Sequence, residues 1–275
     1  MLSLTQSVWA RGSAGDPLPT VYQALADKGI IFRRGQLCLV CAGPGTGKSA
    51  FTLSLALKGA VPTLYMSADS DSFDQAKRAV SIVSNGRINQ EDAEAMVLAG
   101  EIPPEIQAEF DRRPVRFNYS AQPTIDELER SLTAYLELYG VYPDLIVVDN
   151  ITNVVSEMDE ENQYAGLEGL MDYLHNVARK TQACVVPLHH VTGKHNNGGE
   201  PIPRDGVKGQ ITRVPEMVLT LFKRDGQGFG PDTLGVSGVK IRGAKYDPMG
   251  TDFAELEFNG FYMNISDPAG LRAVA

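Results

Sequence analysis

The sequence predicts an α/β fold in which a mainly parallel central sheet is flanked by helices and extended by further strands near the C-terminus. Short apolar runs alternate with helical patterns from residue 36 onward, and after residue 210 strand-like segments follow one another through Gly-rich turns. Apolar strands that alternate with helices are typical of a parallel sheet with both faces covered. Because 275 residues suffice for one substantial core, we expect a single domain.

The individual elements follow from the hydrophobic periodicity. Residues 1–17 read as a polar arm, and a short helix is expected over 20–28. Thr124 and Glu127 have the spacing of a capping box, in which the two side chains satisfy free amides at a helix start. The early strands are expected over 37–42, 61–67, 144–149 and 183–188, the helices over 48–58, 72–83, 89–99, 124–139 and 162–180, and the late strands over 216–222, 234–242 and 252–258. The predicted boundaries are an arm or linker over 1–30, the domain over 31–265 and a tail over 266–275.

Composition and charge restrict the classes of function. No apolar run approaches the roughly 20 residues that cross a bilayer, and the N-terminus lacks the basic start and apolar stretch of a secretory signal. These features predict a cytoplasmic protein. The net charge of −9 argues against a protein that coats DNA, but it leaves room for DNA at a few basic loops. A solvated loop and helix start are expected at the acidic cluster Glu157, Asp159, Glu160 and Glu161.

Cys38 and Cys41 have the C-x-x-C spacing found in redox and metal sites. They lie inside the apolar run 37–42, however, where a cysteine acts as a small hydrophobic residue. Side chains three positions apart in a strand also point to opposite faces of the sheet. We therefore expect two buried strand residues rather than a redox or metal site.

Residues 42–49, with the sequence AGPGTGKS, form a P-loop between a buried strand and a helix, although Ala42 replaces the first glycine of the strict pattern. The glycines let the backbone curl so that several N–H groups face a phosphate beside the positive end of the helix. Lys48 is expected to hold the β- and γ-phosphates of ATP, and the Ser49 hydroxyl a Mg²⁺ ion. The predicted nucleotide-binding residues are Gly43, Pro44, Gly45, Thr46, Gly47, Lys48, Ser49 and Ala50.

Two aspartates at strand ends complete the predicted hydrolytic site. Asp149 ends the apolar strand DLIVVD, where its carboxylate can order water on the magnesium ion. A nucleotide hydrolase also needs a carboxylate that orients or deprotonates the attacking water, and we assign this role to Asp69. The alternative is that Asp69, Ser70 or Asp71 only caps the helix that follows. That alternative explains Asp71 but leaves Asp69 without a role.

Over residues 20–258 the chain resembles the RecA-like ATPase core of the DnaB-type replicative hexameric helicases, in the stand-alone form that phages and plasmids encode. The segment LYMSADS (64–70) is similar to the strand that carries the family's catalytic glutamate, and Asp69 stands in its place. This shorter side chain is expected to slow hydrolysis or to move the water. The segment ending in His190 resembles the strand with the γ-phosphate sensor. His189 is the alternative sensor, and a strand-end histidine without such a role is the other reading.

Lys240 and Arg242 resemble the pair that, in this family, reaches the γ-phosphate held by a neighbouring subunit. Alternation places both side chains on one face of a strand, so both can approach one phosphate. Arg242 would be the arginine finger, which offsets charge that develops during phosphoryl transfer. The resemblance therefore implies a homo-oligomer with head-to-tail contacts, a ring and most simply a hexamer. Two solvent-facing basic residues on an edge strand are the alternative.

In the same family the central loops contact single-stranded DNA, and the segment 191–209 is the candidate here. It is Gly-rich and polar, and it directly follows the proposed phosphate sensor. Its basic residues would hold phosphates without reading bases, because the segment has no aromatic residue for stacking. A polar loop without any partner is the alternative. The predicted DNA-binding residues are Lys194, His195, Arg204 and Lys208.

Three functions remain compatible with these features. The leading hypothesis is a DNA-dependent ATPase that moves on single strands and unwinds duplex DNA in replication or recombination. The second is a recombination or branched-DNA-processing protein on the same core, with nuclease activity from a constellation that the sequence does not reveal. The third is an assembly module whose oligomeric state is set by the nucleotide. DNA-stimulated hydrolysis separates the third hypothesis from the first two.

Overall fold

A computed structural model of the chain describes residues 1–155, 163–226 and 231–270. The acidic cluster expected around residues 157–161 lies outside the described residues. The described part contains a nine-stranded sheet with helices packed on both faces, so the predicted α/β fold is confirmed. Within the described residues, no helix combines the length and the apolar character needed to cross a membrane.

The strands form one sheet with the order β3-β2-β4-β5-β1-β6-β7-β8-β9. Their bounds are β1 Cys38–Ala42, β2 Thr63–Ser67, β3 Val115–Asn118, β4 Leu145–Asp149, β5 Cys184–His190, β6 Met217–Arg224, β7 Asp232–Ile241, β8 Phe253–Asn259 and β9 Asn264–Ser266. All pairs from β3 to β6 are parallel, and those from β6 to β9 are antiparallel. The late strands therefore extend the sheet as the sequence predicts.

The helices are α1 Leu4–Ala10, α2 Gln23–Asp27, α3 Lys48–Gly59, α4 Ser72–Val83, α5 Gln90–Ala99, α6 Pro104–Asp111, α7 Ile125–Tyr139 and α8 Gln163–Thr181. Helices α3 to α8 lie between the parallel strands, whereas α1 and α2 precede β1, and local side chains cap the starts of α4 and α7. The Asp71 carboxylate accepts a hydrogen bond from the Asp74 N–H at the start of α4. The capping box at α7 is confirmed, because the Thr124 hydroxyl accepts from the Glu127 N–H and the Glu127 carboxylate accepts from the Thr124 N–H.

Two hydrophobic cores lie on opposite faces of the sheet. Strand β1 is buried along its whole length, with Cys38 packed into one core and Cys41 into the other. This confirms the structural interpretation of the C-x-x-C pair. The sulfur that contacts Cys38 belongs instead to Cys184 on β5, at 3.8 Å. Burial raises the pKa of Cys41 to about 12, so its thiol stays protonated at neutral pH.

Several elements were not predicted, and they are short or only partly buried. Strand β3 is a four-residue edge strand, and β9 has three residues. Helix α6 has only Ile106 buried, so its apolar periodicity is weak, and α1 has no buried residue. Residues 18–30, which the sequence places in an arm, contribute Tyr22 and Leu25 to a core.

Candidate functional site: a nucleotide cleft and its distant basic pair

The P-loop lies at the carboxyl end of β1 and opens helix α3, as its sequence predicts. Gly45 and Gly47 have φ values of 72° and 104°, a conformation that residues with a side chain rarely adopt. A Cβ on Gly47 would lie 3.1 Å from the Phe258 ring, so that ring supports the loop from beneath. The loop forms one wall of a cleft of about 550 Å³. The N–H groups at the start of a twelve-residue helix make this wall a natural phosphate site.

Lys48 lines the cleft, and the carboxylate of Asp149 lies close enough to interact electrostatically with it; both residues are buried. Burial lowers the pKa of Lys48, and the nearby Asp149, Cys41 and Asp69 oppose that shift. Burial also raises the pKa of Asp149, while the Ser49 hydroxyl and Lys48 counteract it. An anionic ligand beside Lys48 would compensate for the desolvation of its ammonium group.

The surroundings of Asp149 fit a divalent cation. The Tyr65 hydroxyl donates to Asp149 Oδ2 at 3.2 Å, whereas Oδ1 is buried and has no hydrogen-bond partner among the described residues. A carboxylate oxygen without a partner, next to the Ser49 hydroxyl, provides the hard oxygen ligands that Mg²⁺ prefers. These two residues would hold the ion, and the ion would supply charge neutralisation of the bound phosphates.

Asp69 lies on the cleft wall, two residues beyond the end of β2. Its N–H and that of Ala68 donate to the Asp149 carbonyl, at 3.1 and 2.8 Å, which ties the two acidic strand ends together. The following turn is braced as well, because the Ser67 hydroxyl donates to the Ser70 carbonyl at 2.6 Å. Asp71 rather than Asp69 caps α4. The Asp69 carboxylate is thus positioned at the cleft without a capping role.

The two histidines at the end of β5 have different surroundings. His190 lines the cleft, and the Asn150 amide lies 3.3 Å from its Nε2. Burial lowers the pKa of His190, and the positive charge of Lys48 adds to this shift. His189 is fully buried, and its Nε2 donates to the Lys208 carbonyl at 2.9 Å. Only His190 of the two therefore has access to a bound phosphate.

Arg78 is a cleft residue to which the sequence analysis assigned no role. It lies two turns into α4 and reaches the cleft wall beside Asp69, where its Nη1 donates to the Ser70 hydroxyl at 3.0 Å. No carboxylate within the described ranges forms an ion pair with it. The signal in the sequence was the i, i+4 spacing of Asp74 and Arg78, which places both on the cleft side of one helix.

The segment 191–209, predicted to contact DNA, is folded against the nucleotide site. Val191 pairs with Val207, and the His190 carbonyl accepts from the Lys208 N–H at 3.3 Å. A Cβ on Gly198 would overlap the Thr46 hydroxyl, so the segment touches the P-loop itself. The segment is therefore not a free polar loop, because its Ile202 side chain is buried and holds it against the rest of the domain.

The predicted DNA-binding side chains do not all share one environment. Lys194 and Arg204 are exposed, and Lys208 is half-buried. His195 turns inward, since a Cβ on Gly206 would lie 2.7 Å from its ring. The Arg204 N–H donates to the Pro248 carbonyl at 2.8 Å, so Arg204 lies beside the β7–β8 turn.

Lys240 and Arg242 lie near the amino ends of the parallel strands, whereas the cleft lies at their carboxyl ends. Ile241 pairs with Met217, which pairs with Cys38 at the start of β1, whereas the P-loop follows the other end of that strand. Along β1, the four residue steps from Cys38 to Ala42 separate the level of Ile241 from the start of the P-loop by about 13 Å. Lys240 Nζ donates to the carbonyls of Thr212 and Arg213, at 2.9 and 2.6 Å, and burial lowers its pKa. Neither basic residue lines the cleft of its own chain.

Comparison with known proteins agrees with this geometry. Residues 3–196 match the family described as "AAA domain". The Gene 65 protein of Mycobacterium phage L5 is 58% identical over 268 residues, which cover 97% of this chain and 99% of that protein. The DNA helicase/primase of Enterobacteria phage T3 is 26% identical over 234 residues, which cover 80% of this chain and 41% of that protein.

Two solved structures share the fold. A solved ATPase domain superposes with a TM-score of 0.79 and 14% identity, over 96% of each chain. A DnaB-like replicative helicase, solved to show its interactions with primase, superposes with a TM-score of 0.78 and 14% identity, over 96% of this chain and 65% of that one. The resemblance that the sequence predicts is thereby confirmed at the level of fold. The chain belongs to the AAA-domain family of P-loop ATPases, with the RecA-like fold of the DnaB-type helicase ATPase domain.

Proposed function

We propose that this protein is an oligomeric, DNA-stimulated ATPase motor that translocates on single-stranded DNA and unwinds duplex DNA. The observation that carries the proposal is the bonding between the nucleotide cleft and the basic segment 191–209. His190 faces the cleft, while its own carbonyl and the neighbouring His189 side chain are both bonded to Lys208. A change at the phosphate therefore reaches this segment through two hydrogen bonds.

The cleft supports ATP hydrolysis by positioning and charge. Lys48 would bind the β- and γ-phosphates, and Asp69 would orient the attacking water and accept its proton. His190 is neutral at pH 7 because its pKa is lowered, so it would donate or accept one hydrogen bond at the γ-phosphate. Its loss of the γ-phosphate contact after hydrolysis would then alter the position of Lys208.

The distant position of Lys240 and Arg242 supports an oligomer. A charge-offsetting arginine must lie within hydrogen-bond reach of the transferred phosphate, and these residues are at the other edge of their own sheet. A head-to-tail ring would bring them to the cleft of a neighbouring subunit, and a hexamer is the ring size we propose. Each cleft is then completed by a second copy of the chain.

The test is ATP hydrolysis with and without single-stranded DNA, followed by unwinding of a forked duplex. We expect DNA to raise kcat severalfold and the fork to be unwound only with ATP. Lys48→Ala should abolish both activities. Hydrolysis that DNA leaves unchanged would contradict the motor and favour a nucleotide-set assembly module. DNA-stimulated hydrolysis with joint-molecule formation or junction cleavage, but without unwinding, would replace the helicase by a recombination protein.

A further inference from the structure

Glu216, immediately before β6, is hydrogen-bonded both to Arg242 of the basic pair and to Leu37, which precedes the first strand of the nucleotide site. Its side chain is only 12% exposed, although it carries a carboxylate. Buried carboxylates in proteins are normally paired or hydrogen-bonded. The partners of Glu216 come from three separate elements, so its position is strongly constrained.

The two carboxylate oxygens divide these partners. Oε2 accepts a hydrogen bond from the Leu37 N–H at 3.0 Å, just before β1. Oε1 accepts from Arg242 Nη1 at 3.1 Å and lies 3.2 Å from His175 Nε2 on α8. The main chain repeats this connection, because the Arg242 N–H donates to the Glu216 carbonyl at 2.8 Å and the Glu216 N–H donates to the Leu37 carbonyl at 3.0 Å.

The Arg242 side chain is bonded to Glu216 on one side and exposed on the other. Its side chain remains 59% exposed, while one of its five N–H donors is used on Glu216. Arginine needs a fixed plane to present its remaining donors to a phosphate, and a long free side chain does not provide one. The hydrogen bond from Nη1 to the constrained carboxylate of Glu216 restricts the orientations that the guanidinium can adopt.

We infer that Glu216 is the positioning residue for Arg242, and that it aims the guanidinium at the nucleotide of the neighbouring subunit. The inference rests on the proposed action of Arg242 across a subunit interface. Glu216 does not itself touch ATP, because it lies at the amino end of the parallel strands, away from the cleft. Its effect therefore falls on the chemical step in the neighbour and not on nucleotide binding in its own chain.

The first experiment compares Glu216→Gln with the wild type in steady-state ATP hydrolysis. Glutamine keeps an oxygen that can accept from the Leu37 N–H, but it removes the charge that orients Arg242. We expect kcat to fall by about ten- to hundredfold, as for a misplaced catalytic group, with KM for ATP unchanged within about twofold. Glu137→Gln, on the exposed surface of α7, is the matched control and should behave as the wild type.

The second experiment distinguishes the positioning of Arg242 by Glu216 from a general structural effect of the substitution. Glu216→Gln subunits have an intact P-loop but an Arg242 that is no longer held in place. Lys48→Ala subunits have an inactive P-loop but a correctly held Arg242. Mixing the slow Glu216→Gln protein with the inactive Lys48→Ala protein should therefore place a correctly held Arg242 against an intact P-loop. We expect the hydrolysis rate of the mixture to exceed the mean of the two separate rates. If Glu216 only supported its own cleft through Leu37, mixing would bring no gain and the inference would be wrong.

A third variant distinguishes the failure of this inference from the failure of the proposed function. A wild-type kcat for Arg242→Ala would refute the action of Arg242 in trans, and with it both proposals. A slow Arg242→Ala together with a wild-type kcat for Glu216→Gln would overturn only the role of Glu216. The oligomeric state and thermal unfolding midpoint of each variant, compared with the wild type, show whether any loss of activity arises from misfolding.

Discussion

The carboxyl ends and the amino ends of the parallel strands form two edges of the sheet, and the charged residues at these edges differ in their burial and in their bonding. At the carboxyl edge, Lys48 and Asp149 are buried, and burial shifts both of their pKa values toward the neutral form. One oxygen of Asp149 has no partner among the described residues. At the amino edge, Lys240 and Arg242 are bonded to backbone carbonyls and to a carboxylate of their own chain.

This difference shows what each edge requires. Desolvated charges at the carboxyl edge would be stabilised by a charged ligand, and the ligand we propose is a triphosphate with its cation. The basic pair at the amino edge is already bonded to its own chain, and its exposed side suits a protein neighbour. Under the proposed oligomer, the chain presents two halves of one site, and each half is complete only when two copies meet.

The largest predicted effect concerns whether the P-loop cleft of one subunit and the basic pair of another form one site. Lys48→Ala and Arg242→Ala should each lower kcat by roughly a thousandfold, because each removes a charge that stabilises the transferred phosphate. Mixing the two variants should restore hydrolysis, measured as phosphate release. Lys245→Ala, an exposed residue on the turn after β7, serves as control. A mixture as inactive as its components would place both residues in one subunit's site.

The second prediction concerns the carboxyl edge alone. Asp69→Asn should lower kcat by about a hundredfold, since it removes the group that orients and deprotonates water, while ATP affinity stays within about twofold of the wild type. Stopped-flow hydrolysis and equilibrium nucleotide binding measure the two quantities. Asp71→Asn is the matched control, because asparagine can keep the cap of α4 and Asp71 does not line the cleft, so kcat should stay at the wild-type value. Equal losses of kcat in both variants would assign Asp69 a structural role.

The third prediction addresses Arg78, which has no ion-pair partner in the part of the chain that the structure describes. Arg78→Gln should weaken the binding of a non-hydrolysable ATP analogue by about tenfold relative to ADP, because a charge-assisted hydrogen bond to the terminal phosphate is lost. Lys77→Gln, on the same helix but paired with Asp74 at 3.0 Å, should change neither affinity. Calorimetric titration measures both. An equal loss for ATP and ADP would place Arg78 at another part of the nucleotide.

The smallest predicted effect is a pH dependence at the carboxyl edge. Burial lowers the pKa of His189 to about 4, below its ordinary value of 6.5. Its contribution to stability is therefore complete above pH 6.5 and is lost as the pH falls toward 4, by about 2 kcal/mol at pH 5. Urea unfolding at pH 7 and pH 5 should show this loss in the wild type and a smaller one in His189→Gln. Equal losses would show that another group governs the acid sensitivity.

Local patterns were sufficient to predict most of the fold. The seven longer strands and five longer helices arise from apolar periodicity and caps, such as the Thr124–Glu127 box, that act within a few residues. The P-loop was predictable for the same reason, since its glycines, Lys48 and Ser49 are contiguous. Strand β3 was missed because its pairing with β2 depends on a distant partner rather than on its own apolar content.

The surroundings of each site residue were less predictable. The sequence could not separate His189 from His190, since the choice depends on which side of β5 faces the cleft. It grouped Arg204 with Lys194, whereas the fold places Arg204 beside the β7–β8 turn. Arg78 and Glu216 were assigned no role because their neighbours are distant in sequence or belong to other elements.

The alternation of side chains along β5 has a consequence for how the proposed motor would connect its nucleotide contact with its DNA contact. His189 and His190 are consecutive residues on opposite faces of the sheet, and both are bonded to Lys208 through side chain or backbone. The nucleotide contact and the segment proposed to hold DNA are therefore joined directly, by the end of one strand. In the proposed motor, a change at the γ-phosphate would therefore pass to the DNA segment of the same subunit with no other element between the two contacts.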